Sequence, residues 1–206
     1  MLRLHILASG SGGNAAIVEN AATGEGVLID CGICKRDFFA RAEEAGFDLG
    51  RLRAVVITHD HGDHTKGLGV VLRGLAKAGA RPAVHASEAV FAASAPLRDA
   101  VASVGAAFEP FGGGDVLEAA GLAVRPFRTS HDAADSYGFR FDEAGGDRDS
   151  LGYMTDTGIV TDKAWEALSG VRLLALESNH DARMLEVGPY PYVIKQRIAS
   201  ARGHLS

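Results

Sequence analysis

Residues 58 to 64 read Thr58-His59-Asp60-His61-Gly62-Asp63-His64 and follow directly on the apolar run Ala54-Val55-Val56-Ile57. Such a run reads as a buried strand, and a strand that opens into a loop can fan alternate side chains into one cavity. His59, His61, Asp63 and His64 supply both imidazole and carboxylate donors, the set suited to zinc and similar divalent ions. The chain must therefore fold so that other elements enclose the end of this strand and complete a metal site.

Three further donors sit at the ends of segments that could do so. His131 follows the apolar stretch Leu122–Ser130, Asp156 follows Leu151–Thr155, and His204 lies in Arg202-Gly203-His204-Leu205. Around them, apolar strands alternate with helical stretches. Strands are expected at 2–7, 15–19, 26–30, 54–58, 83–86, 115–118, 121–129, 137–142, 151–155 and 171–177. Helices are expected at 35–46, with Phe38, Phe39 and Ala42 on one face, at 67–79, and at 162–169, bearing Trp165 and Leu168. Gly112-Gly113-Gly114 and Gly145-Gly146 read as turns. With 206 residues, 47% of them apolar, and no interdomain linker or repeat, the chain reads as one domain over 1–206.

Other polar residues suggest supporting roles. The Gly/Ser loop Ser9-Gly10-Ser11-Gly12-Gly13-Asn14 joins two short apolar runs, and Ser11, Gly12, Gly13 and Asn14 could aim N–H groups at a phosphate; a tight turn needing positive φ is the alternative. Asp30, ending the run Val27-Leu28-Ile29, could orient a ligand imidazole, and Asp132 could do the same beside His131. His180 is the candidate general acid, because a histidine titrates near working pH. Cys31 and Cys34 form a C-x-x-C, but with no other cysteine they read as two reduced structural thiols.

The order HxHxDH, His131, Asp156, His204 resembles the ligand plan of the metallo-β-lactamase superfamily. That resemblance implies an α/β fold, an αββα sandwich of two mixed sheets flanked by helices. It implies two divalent metal ions, zinc or manganese: His59, His61 and His131 hold one, Asp63, His64 and His204 hold the second, and Asp156 bridges. Paired metals activate the water between them and stabilise charge on a leaving oxygen, with Asp63 and His180 as the catalytic candidates. The Gly/Ser loop, Asp30, Thr129-Ser130-His131-Asp132, Glu177-Ser178-Asn179-His180-Asp181, Gly188-Pro189-Tyr190-Pro191, Lys195-Gln196-Arg197-Ile198 and Gly203-His204-Leu205-Ser206 together are similar to the YycJ/WalJ family. Its members are described as 5′–3′ exonucleases acting on DNA. Family members continue for several dozen residues past the Gly-His-Leu-Ser motif, so a C-terminally truncated chain with a loosely held His204 is expected.

A formal charge of −5 opposes strong sequence-independent affinity for nucleic acid, which rests on Lys and Arg neutralising phosphates. A DNA substrate then requires a local basic track, for which Lys35, Arg36, Arg183, Lys195, Arg197 and Arg202 are the candidates. The same ligands could serve a hydrolase of a small thioester, lactone or cyclic phosphodiester, or a binding protein without turnover. No apolar run approaches the length of a transmembrane helix, so no membrane partner is expected and the cytoplasm is the expected compartment.

Overall fold

The computed structural model describes residues 1–144 and 149–206; the expected Gly145-Gly146 turn lies outside the described residues. Two sheets form the centre. The first has six strands in sequence order: β1 (Leu2–Ala8), β2 (Ala15–Asn20), β3 (Glu25–Ile29), β4 (Leu52–Val56), β5 (Ala83–Ala86) and β6 (Phe108–Pro110). β1, β2 and β3 pair antiparallel, and β3 to β6 pair parallel. The second sheet runs β11 (Leu173–Leu176), β10 (Ser150–Met154), β9 (Tyr137–Glu143), β8 (Leu122–Arg128), β7 (Leu117–Ala119), parallel only between β10 and β11.

Burial follows from residue choice. β2 is buried at every position and Val27–Ile29 of β3 likewise, the near-continuous apolar reading of strands covered on both faces. One core cluster fills the space between the sheets with Val18, Val27, Ile29, Val56, Val124, Phe139 and Phe141. A second lies between the first sheet and α1 (Lys35–Glu44), α3 (Leu68–Lys77) and α5 (Ala95–Val104), and contains Phe38, Leu68, Val71, Leu75 and Leu97. α6 (Asp162–Leu168) covers the second sheet through Ala164, packed with Phe127 and Met154; Trp165 faces solvent. The layers are thus helix, sheet, sheet, helix, the αββα arrangement expected.

The chain ends of β3, β4, β8 and β10 bring Asp30, His59, His131 and Asp156 to one edge of the sandwich. Close backbone approach holds that edge together. A Cβ at Gly32 would stand 1.6 Å from the Asp63 carbonyl oxygen, and one at Gly67 1.9 Å from that of Ile33, so the 31–33 loop and the turn around α2 (Gly62–Thr65) touch main chain to main chain. Cys31 N–H donates to the His64 carbonyl and Asn14 N–H to that of Asp63, at 2.7 and 2.8 Å.

The tail carrying His204 is also tied down, against the expectation of a frayed ligand. α8 (Tyr192–Ile198) ends in a tight turn in which His204 N–H donates to the Ile198 carbonyl. Ser130 Oγ donates to the Ala201 carbonyl at 2.7 Å, the Arg202 guanidinium to that of His131 at 3.0 Å, and Asn179 N–H to that of Leu205 at 3.0 Å.

Gly32→Ala should cost about 1–3 kcal/mol of stability, the range for forced overpacking, and lower metal retention by pushing Asp63 and His64 away. Urea unfolding and metal analysis of the variant check both; wild-type values would show that the backbone approach is not tight.

Candidate metal centre

Five histidine rings crowd together, mostly edge to face. The His59 ring lies 4.6 Å from His61, 4.0 Å from His64 and 5.0 Å from His131, centroid to centroid, and His204 lies 5.1 Å from His131. Donor atoms converge in three groups within 4.8 Å: His59, His61 and His131; His59, His64 and Asp156; and His131, Asp156 and His204. The first group is the trio expected from sequence. Asp156 belongs to the other two, the position a bridging residue needs. Asp63 joins none of them, although its Oδ2 stands 3.7 Å from His64 Nε2 and 3.4 Å from the Asn14 side-chain amide nitrogen.

Hydrogen bonding on the far side of the rings sets which nitrogen faces the cluster. Asp30 is fully buried and receives Thr58 N–H at Oδ1, 2.8 Å, and Thr58 Oγ1–H and His64 Nδ1–H at Oδ2, both 2.8 Å. With the Thr58 hydroxyl proton given to Asp30, Oγ1 accepts from His59 Nδ1 at 2.9 Å. Both imidazoles therefore turn Nε2 inward. His59 Nε2 is buried and has no partner among the described residues, as a lone pair reserved for a cation would be. His131 is oriented instead by the Gly203 carbonyl, 3.1 Å from Nδ1.

Charge reinforces that arrangement. Burial, added to by the neighbouring His64, drives His59 down to about 2, so it is neutral at any working pH. Burial also opposes charge on His64, but Asp30 and Asp156 together outweigh it and raise His64 to about 10. Its extra proton sits on Nε2, 3.1 Å from Asp156 Oδ2, where a metal ion would replace it. Burial likewise disfavours the Asp156 carboxylate, yet the adjacent His64 holds it well below the usual range. Asp30 and Asp156 both have positive φ, 57° and 49°, a conformation that Asp tolerates better than most residues and that recurs at functional sites.

Several expected roles change. Asp132 does not orient His131 from behind: it faces Nε2 at 3.4 Å and pairs with Arg197 at 2.5 Å. The Gly/Ser loop is only half available, because Gly13 N–H is taken by the Gly10 carbonyl and Asn14 N–H by that of Asp63. Ser9, Gly10, Ser11 and the Asn14 side chain do line a cavity of about 540 Å³ beside Asp63, Asp156 and His204; Gly12 and Gly13 do not. His180 faces a neighbouring cavity with Ser178, Asp181 and Ser206, not this one. The expected basic track is largely committed elsewhere: Arg197 to Asp132, Arg36 to Asp37, Lys195 to the Glu186 carbonyl and Arg202 to that of His131. Lys35 sits over the Phe39 ring, and Arg183 is exposed.

Two residues escaped sequence reasoning. Thr58 links His59 to Asp30, and Glu177 accepts from His204 Nδ1 at 3.0 Å, raising His204 through that bond. Glu177 also accepts Thr157 N–H. Its signal was a carboxylate ending the apolar run Leu173–Leu176, the same pattern that marked Asp30.

The fold and the histidine cluster define a hydrolase of the metallo-β-lactamase superfamily: residues 26–205 match the family described as "Beta-lactamase superfamily domain", and the chain belongs to that family. It is related at moderate identity to the YycJ/WalJ exonucleases. It is 34% identical over 204 residues to "Exodeoxyribonuclease YycJ" of Bacillus anthracis, covering 99% of this chain and 73% of that protein. It is 33% identical over 204 residues to "Exodeoxyribonuclease WalJ" of Streptococcus pneumoniae, covering 98% and 71%. The fold is similar to the crystal structure of the metallo-β-lactamase fold protein YhfI from Bacillus subtilis, at TM-score 0.71 and 16% identity, covering 100% of this chain and 77% of that one. No helix among the described residues is long and apolar enough to cross a membrane.

Asp30→Ala should weaken metal binding by roughly 10–100-fold, the usual effect of removing a residue that orients a ligand; competition against a chromophoric chelator reads it, and unchanged affinity would remove Asp30 from the centre. Zinc binding at pH 7.5 should release at least one proton per chain, because His64 must give up the proton it holds up to about 10. Affinity at the His64 side should then rise by about tenfold per pH unit between pH 7 and 9. Calorimetry in buffers of different ionisation enthalpy checks this, and a buffer-independent heat would contradict it.

Proposed function

We propose that the chain is a metal-dependent phosphodiesterase acting on DNA, and that it removes nucleotides in the 5′–3′ direction. The observation that carries the reading is the convergence of five histidines and Asp156 in three overlapping groups, with His59 Nε2 left without a partner among the described residues, in a chain related to two exodeoxyribonucleases. Direction of cleavage rests on the family resemblance of the sequence motifs alone.

The donor set fits two divalent cations, zinc or manganese. His59, His61 and His131 would hold one; His64 and His204, with Asp63 beside them, would hold the other; Asp156 would lie between. Bound there, such ions supply an activated water and neutralise charge on a phosphoryl oxygen. The chain's own groups do the positioning. Asp30 locks His64 and, through Thr58, His59; the Gly203 carbonyl locks His131; Glu177 locks His204. Ser9, Ser11 and the Asn14 amide present neutral donors to a phosphate at the cavity wall. His180 lines a neighbouring cavity that shares Ser178 and Asn179 with this one, and has no role in the proposed reaction.

A second reading has one observation in its favour. Among the described residues neither Lys nor Arg lines the cavity, which suits a small ester, thioester or cyclic phosphodiester as well as it suits one end of a DNA strand.

Metal-loaded protein should release mononucleotides from 5′-labelled duplex DNA, and Asp156→Ala and His61→Ala should abolish release by losing metal. His180→Ala should stay within a few-fold of wild type, well short of the roughly 10²–10⁴-fold loss expected of a general acid. Intact DNA alongside hydrolysis of a thioester or lactone would replace the nuclease with the small-molecule hydrolase.

A further inference from the structure

β1 and β11 are edge strands of their respective sheets and run along the same side of the sandwich. At their starting ends they are sewn together. Leu2 N–H donates to Asp149, Arg172 pairs with Asp149, and the same guanidinium donates to the Leu2 carbonyl at 2.8 Å. At their far ends nothing comparable joins them among the described residues, and the cavity of about 540 Å³ opens there beside Asp63, Asp156 and His204. Ile6 of β1 and Leu176 of β11 both line it, yet they are 52% and 44% exposed. Large aliphatic side chains left open to water at the mouth of a polar cavity invite an apolar, flat occupant.

Resting on the DNA reading above, we propose that this seam is the seat of the strand's terminal nucleotide, with its base laid against Ile6 and Leu176 and its phosphodiester directed at the histidine cluster. The size fits one such unit, since small-ligand sites span about 300–1,000 Å³. Chemistry separates the two ends of the occupant. Asp63, Asp156 and Glu177 line the inner wall and repel a phosphate wherever cations do not offset them, so the phosphodiester belongs at the candidate ligands. Ser178 and Asn179 supply neutral hydrogen-bonding groups for sugar and base edges, and Tyr153 and Ala175 complete an uncharged surface. Aliphatic contact with a base face is indifferent to base identity, because every base has a π-face. An end-binding seat of this kind selects strand ends without selecting sequence.

The test compares metal-loaded protein on two oligonucleotides that differ only at the 5′-terminal residue, one with a normal base and one abasic. Wild type should cleave the intact end about fivefold faster, at the low end of the effect of losing an aromatic stack because Ile6 and Leu176 offer aliphatic faces. Ile6→Ala/Leu176→Ala should bring the ratio near one, chiefly by slowing the intact substrate, and Leu176→Phe, which restores a broad contact face, should keep the preference. Equal rates on both ends by wild type, or an undiminished ratio in the alanine variant, would overturn the seat while leaving the exonuclease in place. If metal-loaded wild type cleaves neither oligonucleotide, the DNA reading itself fails and the seat fails with it.

Discussion

A buried carboxylate organises this molecule. Asp30 ends β3 inside the sandwich with no exposure to solvent, and burying a charge is costly unless it is paired and hydrogen-bonded. Its two oxygens answer that cost with the Thr58 backbone and hydroxyl and the His64 ring. Satisfying Asp30 therefore fixes two imidazoles, because Thr58 passes the constraint on to His59. The left-handed backbone at Asp30 belongs to the same arrangement, at the point where the chain leaves β3 and the carboxylate meets Thr58.

The rest of the site is hung on that hub by main-chain contacts. Gly32 and Gly67 let neighbouring segments approach closer than any side chain would allow, so the turn bearing Asp63 and His64 is braced against the 31–33 loop. From the second sheet come His131 and Asp156, held by a different device. Gly158 N–H donates to the Ser130 carbonyl, and a Cβ at Gly158 would stand 2.3 Å from Ser200 and Ala201 main-chain atoms. The tail that carries His204 thus packs directly against the loops after β8 and β10. Side chains from both sheets share one centre because both sheets are pinned at its rim.

Electrostatically, the site runs against the usual picture of a nucleic-acid protein. The chain is net acidic, most of the cationic side chains near the histidines are already paired, and the cavity beside them is walled by carboxylates and neutral groups. On the reading proposed above, attraction for an anionic group would come from cations held by the histidines and Asp156. Affinity for such a substrate would then depend on cation loading far more than on surface charge.

The HxHxDH run after Ala54–Ile57 by itself placed a candidate metal-binding histidine cluster at a strand end, because imidazoles packed at the mouth of a buried strand have few other uses. Period and apolarity likewise placed β2, β3, β5 and β9 within a residue or two of where they lie. Helices α4 (Glu88–Ala93), α5, α7 (Ala182–Val187) and α8 were not legible: they are short or small-residue rich, and the Ser and Asp caps of the first three mean little until a neighbouring surface exists to bury them. Tertiary structure alone decided that Glu177 hydrogen-bonds His204 while Asp132 pairs with Arg197, that His180 lines a neighbouring cavity, and that two loop N–H groups are already spent. Those outcomes depend on where two sheets and a tail meet, at separations of tens of residues, and pairwise geometry of that range is not written in local spacing. The sequence names the donor atoms; only packing determines which of them face each other.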